Sequence, residues 1–71
     1  MPKLYLFSHV VKILQKKGFV YISQRGSHVK FRRYIGSKKL TVIVPAHKKE
    51  IPFGTFKSIL RQSGLTKDDF D

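Results

Sequence analysis

Cysteine is absent from the 71 residues, which removes disulfides, thiolate metal sites and any cysteine nucleophile. Its absence also suits a reducing setting. Carboxylates are nearly as scarce. Of the four acids, Asp68, Asp69 and Asp71 stand at the end of the sequence, so Glu50 is alone in residues 1–67. That distribution leaves little to hold a divalent cation, no carboxylate pair for acid–base work and no internal aspartate for a Ser/His/Asp triad. A Mg²⁺-dependent nuclease is therefore disfavoured, and neither a metal nor another cofactor is expected. Long apolar runs are missing too. The longest aliphatic stretch, around Leu40 to Val44, is far short of the roughly 20 residues a membrane span needs, and no signal-like segment follows Met1. The expectation is a cytoplasmic chain with no membrane partner.

What the sequence has in excess is positive charge. Fifteen Lys and Arg against the four acids give a formal charge of +11 and a pI near 10.4, a surplus that repels itself until an anionic partner relieves it. A solvating basic surface is the bland alternative, but this density is the electrostatic footprint of nucleic-acid binding. At this length residues 1–71 form one domain. Folding hides only about 60% of the unfolded surface at that size, so nearly every large apolar residue must join a single core.

Ser8 followed by Val10, Val11 and Leu14 predicts an amphipathic helix, with Ser8 as N-cap, Phe7 as a hydrophobic staple and Gly18 as the stop. Residues 19–24 are rich in β-branched and aromatic types and predict a strand, closed by the turn Arg25-Gly26-Ser27. From His28 to Tyr34 the residues alternate, and after the turn Ile35-Gly36-Ser37-Lys38 a further strand runs from Lys39 until Pro45 ends it. If Tyr34 faces Lys39, then Val29 faces Val44, Phe31 faces Val42 and Arg33 faces Leu40. His28, Lys30, Arg32, Thr41 and Ile43 collect on the opposite face, and a one-residue slip would mix the two. A second helix has Pro52 at an early position, carries Phe56, Ile59 and Leu60 at helical spacing and stops at Gly64; Thr66 with Asp69 has the form of a capping box before Phe70. The prediction is an α+β single domain of order α-β-β-β-α. Its three-stranded antiparallel sheet carries two helices on one face and leaves the other face open and basic.

The sequence holds three histidines. His9 lies in the first helix beside Ser8 and reads as an ordinary surface residue. His28 opens a strand directly after a Gly-Ser turn, on the basic face near Lys30, where it either holds or cleaves a phosphodiester or is merely exposed. In the proposed register His28 faces Pro45, so His47 emerges at the same end of the sheet, with Lys48 and Lys49 following. RNA cleavage needs a base for the 2′-hydroxyl proton, donors for the charge developing on phosphorus and an acid for the leaving oxygen, and histidine titrates in the useful range. His47 is either an auxiliary catalyst or a loop residue that contacts backbone or phosphate. Ser27 can donate to a phosphate, although its ordinary role is to make the turn. Phe7, Phe19, Phe31 and Phe56 read as core; Tyr5, Tyr21 and Tyr34 are left as residues that could stack on bases.

Three blocks, Gly26-Ser27-His28-Val29-Lys30-Phe31, Val44-Pro45-Ala46-His47 and the run from Gly54 to Leu65, together resemble the HicA family of toxin mRNA interferases. The resemblance runs from about Val11 to Phe70. It implies a fold similar to the double-stranded RNA-binding domain, with the matched His28 as the catalytic residue of a ribonuclease that cuts messenger RNA and arrests translation. It also implies a HicB-type antitoxin that covers the toxin. Of the expected sites the resemblance supplies His28 as catalyst; register and charge supply His47 as auxiliary and Gly26, Ser27, Lys30, Arg32, Lys48 and Lys49 as RNA contacts, with no metal.

Two other classes fit the composition: an RNA-binding module of the same fold without catalysis, and a basic face that serves only a protein partner. Salt separates the second from any RNA-binding function. Measured by anisotropy on a short RNA, affinity is expected to fall by orders of magnitude between about 50 and 200 mM salt if several phosphates are neutralised. A flat response contradicts an RNA-facing surface.

Overall fold

The computed structural model describes residues 5–47 and 49–71. Its elements are β1 (Tyr5–Leu6), α1 (Phe7–Lys16), β2 (Val20–Arg25), β3 (His28–Ile35), β4 (Lys38–Pro45), β5 (Glu50–Ile51), α2 (Phe53–Ser63) and a closing 3₁₀ turn (Lys67–Phe70). The three long strands form an antiparallel sheet of order β2-β3-β4, and β1 pairs with β5 in a separate two-stranded ribbon. The fold is α+β and keeps the expected helix–three strands–helix order.

Two Gly-Ser pairs set the frame of the sheet. Arg25 pairs with His28 and Ile35 with Lys38, so each hairpin closes through two residues, Gly26-Ser27 and Gly36-Ser37. Gly26 and Gly36 sit at φ of 59° and 61°, the positive value that a tight hairpin loop asks of its first central residue and that a Cβ would strain. The second loop fixes the β3–β4 register, and Tyr34 indeed pairs with Lys39, Phe31 with Val42 and Val29 with Val44. Those inward positions, together with Val10 and Leu14 of α1 and Phe56 and Ile59 of α2, form one buried core. Burying each such side chain is worth about 1.5–3 kcal/mol.

The start of α1 differs from expectation. The helix begins at Phe7 with Leu6 at the N-cap position, and no side chain caps it, so Ser8 does not serve that purpose. Instead the Phe7 N–H donates to the Lys49 carbonyl at 2.8 Å, continuing the ribbon in which Tyr5 pairs with Ile51 and Leu6 with Glu50. The residue before β5 thus satisfies one of the donors that a capping side chain would otherwise take. Pro52 likewise occupies the N-cap of α2 rather than a position inside it.

That ribbon also draws Tyr5 inward, which removes it from the residues available to stack on bases. Its ring lies 3.8 Å from that of Phe56, nearly parallel at 9°, and Phe56 in turn meets Phe70 edge-on at 5.2 Å. The Tyr5 hydroxyl donates to Asp71 Oδ1 at 2.9 Å. Burial first, and then that hydrogen bond, push its pKa above the ordinary value, so it stays a neutral donor. His9 is not a plain surface residue either. Half-buried, it lies 2.6 Å through Nε2 from the Phe70 carbonyl; a carbonyl only accepts, so Nε2 carries the proton.

The capping box at Thr66 forms as its spacing predicts. The Thr66 N–H donates to Asp69 Oδ2 at 2.8 Å, and Lys17 lies 3.4 Å from the other oxygen. The backbone N–H is the main cause, ahead of the Thr66 hydroxyl and Lys17, that holds the Asp69 carboxyl below its ordinary value despite some burial. A depressed carboxyl stabilises the fold fully above its unfolded value of about 3.8 and loses that contribution as pH falls through the lower folded value. Urea unfolding should therefore show wild type above Asp69→Asn at pH 6 and the two converging at strongly acidic pH. A gap that stays constant over that range contradicts the assignment.

Candidate functional site

The β3–β4 register sets His28 opposite Pro45. Pro45 has no N–H to give the ladder, but the next residue does: the Ala46 N–H donates to the Ser27 carbonyl. The chain beyond β4 is thereby tied to the Gly26-Ser27 turn, and His47 leaves at the corner where His28 stands. Both histidines are exposed, and both line one hollow of about 340 Å³. The sequence expectation that His47 approaches His28 is met in that sense.

Helix α2 forms the other bank of this hollow. Phe56 and Ile59 turn into the core, while the adjacent stripe of Thr55, Ser58 and Gln62, with Pro52 before it, faces the hollow; Ile43 and Pro45 of β4 complete it. Because β4 is an edge strand, its outward N–H groups lack a strand partner. Gln62 covers one of them, its Oε1 accepting the Ile43 N–H at 3.0 Å.

A second hollow, of about 440 Å³, opens on the β2 side, lined by Ser23, Gln24, Arg25, His28, Lys30 and Ile43. A β-bulge builds it. The β2–β3 register shifts between Tyr21 and Ser23, so Ile22 is the extra residue, after which Ser23 pairs with Lys30 and Arg25 with His28. Paired residues share a face, so the bulge returns Ser23 and Arg25 to the open basic face, a re-aiming that bulges commonly perform beside functional sites. The Gln24 Nε2–H donates to the Gly26 carbonyl at 2.9 Å and braces the turn. His28 and Ile43 are common to both hollows and so stand on the ridge between them.

The remaining expected contacts spread out. Lys30 is in the second hollow, and Gly26 and Ser27 form the turn beside His28. Arg32 shares the open face but lies farther along it, bonding through Nε to Thr41 Oγ1 at 3.2 Å, and it lines neither hollow. Lys49 is exposed, its carbonyl serves the start of α1, and it too lines neither hollow. Lys48 lies outside the described residues. Among the described residues no Asp or Glu lines either hollow, and no cluster of His, Cys, Asp and Glu could hold a metal ion.

Sequence reasoning missed Ser23, Gln24 and Arg25, because the bulge that turns Ser23 to the open face is not visible in a run of β-formers and Arg25 read as part of the turn. It also missed the Thr55, Ser58, Gln62 stripe, whose i, i+3, i+7 spacing was in view as the polar side of the predicted helix. What the spacing lacked was a neighbour.

No helix is long and apolar enough to cross a membrane among the described residues. A family model described as HicA toxin of bacterial toxin-antitoxin matches residues 7–65, which takes in both hollows. No match is found among the curated proteins.

Proposed function

This chain belongs to the HicA family of toxins of bacterial toxin–antitoxin systems, and we propose that it is a metal-independent endoribonuclease that cleaves messenger RNA and so halts translation and growth. The observation that carries this reading is the shared position of His28, exposed on the ridge between a hollow containing His47 and one containing Arg25 and Lys30. A phosphodiester laid across the ridge meets His28 on it, His47 to one side and cations to the other.

The chemistry follows from those groups. Neutral His28 takes the proton from the 2′-hydroxyl, the 2′-oxygen attacks phosphorus, and the bond to the 5′-oxygen breaks. Lys30 and Arg25 face the charge that develops on the non-bridging oxygens. His47, as imidazolium, gives a proton to the departing 5′-oxygen. Arg32, Lys49 and Lys48 neutralise neighbouring phosphates along the strand, and Gly26-Ser27 lets the backbone approach closely. No cofactor takes part. A cytoplasmic HicB-type antitoxin opposes this activity by burying His28, Lys30 and Arg32 under acidic or apolar groups.

The test is cleavage in EDTA by wild type and by His28→Ala, on an RNA and on the same strand with 2′-deoxy sugars. Wild type should cut the RNA alone, and the variant should be slower by about 10²- to 10⁴-fold, the usual contribution of a positioned acid or base. Undiminished cutting by His28→Ala, or cutting by wild type only when Mg²⁺ is added, overturns the proposal. RNA binding without any cutting assigns the fold to a non-catalytic binding role.

A further inference from the structure

We infer that the hollow between β4 and α2 is a nucleobase subsite, in which Gln62, with Ser58 and Thr55, reads the base next to the phosphate held at His28. This rests on the RNA-cleaving reading above and gives it a specificity determinant.

The two hollows that meet at His28 differ in chemistry. Arg25 and Lys30 belong to the β2 side. On the α2 side no Lys, Arg, Asp or Glu is among the described lining residues; apart from the histidines these give apolar walls, Ile43, Pro45 and Pro52, and polar groups that are hydroxyls and an amide. An anionic phosphate is favoured where the cations are. A flat, uncharged ring with a hydrogen-bonding edge is favoured where apolar walls enclose neutral donors and acceptors, the usual make-up of small-ligand pockets. Its volume of about 340 Å³ stands at the lower end of the roughly 300–1,000 Å³ such pockets occupy, which suits one base and not a longer stretch of chain.

Gln62 is the residue best placed to discriminate. The Ile43 N–H fixes its amide, because only Oε1 can accept at 3.0 Å and a flipped amide would set two donors against each other. The Nε2 donors are consequently committed to one direction before any ligand arrives. Gln62 is also half-buried, so a base that fails to accept from it leaves a desolvated donor unpaired, and that penalty is what produces selectivity. Ser58 and Thr55 stand one and two turns earlier on the same stripe, on a helix held rigid by Phe56 and Ile59 in the core.

Binding and cleavage are measured separately. Fully 2′-O-methylated pentanucleotides, which cannot be cut through the 2′-oxygen, carry each of the bases in turn at the central position and are compared by fluorescence anisotropy; all-ribose copies are scored for cutting. Wild type should prefer its best base over its worst by about tenfold or more, the size of one good base-edge contact. Gln62→Glu keeps an acceptor for the Ile43 N–H and removes the amide donors, so it should compress that preference to within about threefold, whatever its added charge does to affinity overall. Ser58→Ala should compress it partly with unchanged thermal melting. No preference in wild type, or losses that are equal for all bases in both variants, overturns the subsite. Base preference that depends on Gln62 in a protein that cuts none of the all-ribose strands keeps the subsite and overturns the ribonuclease reading; cutting with an unchanged base profile does the reverse.

Discussion

The core and the candidate site both hang on the register of one hairpin. Eight consecutive pairs, from His28 with Pro45 to Ile35 with Lys38, join β3 to β4. A shift by a single residue would exchange the faces of one strand against the other. Val42 and Val44 would lose the core, and His28 would lose its place opposite the proline whose successor ties His47 to the same corner. Core and site are alternate residues of the same ladder, so the burial of Val29 and Phe31 is also what holds His28 and Lys30 outward. The hydrophobic effect in this way positions groups that never enter the core.

Charge is divided as strictly as hydrophobicity. Asp69 is taken up by Thr66 and Lys17 and Asp71 by Tyr5, while Glu50 stands exposed in the ribbon that starts α1. Asp69 and Asp71 thus help fasten the N- and C-terminal segments of the domain, and no carboxylate is among the described residues lining either hollow. A chain of formal charge +11 repels itself, and much of that surplus remains on the sheet and its loops. Such a surface is suited to a polyanion, and an antitoxin that quenches it gains long-range attraction along with its contacts.

Much of this was legible in the sequence, for identifiable reasons. Strict alternation in His28 to Tyr34 and in Lys39 to Val44, with a Gly-Ser loop between them, determines the register and with it the approach of His47 to His28. The apolar spacing of Val10 and Leu14 and of Phe56 and Ile59 gave both helices. What escaped lacks periodicity. Two-residue strands such as Tyr5–Leu6 and Glu50–Ile51 carry no pattern, so the true start of α1 and the burial of Tyr5 were hidden, and Ser8 took a capping role it does not have. The bulge at Ile22 interrupts alternation, which concealed the facing of Ser23, and Arg25 read as turn although it pairs with His28. His9 reads as a surface residue until the 3₁₀ turn brings the Phe70 carbonyl to it. Arg32 was placed on its face by register and Lys49 by its place in sequence after His47, and neither says how far from His28 a side chain lies.

The central claim is that His28 uses the RNA's own 2′-hydroxyl as the nucleophile. The ends left on the fragments record which oxygen attacked, so mass spectrometry of the products formed in EDTA tests it most directly. Attack by the 2′-oxygen predicts a 2′,3′-cyclic phosphate, or the phosphate it opens to, on one fragment and a 5′-hydroxyl on the other. Fragments with a 3′-hydroxyl and a 5′-phosphate would mean that water was the nucleophile and would contradict the account.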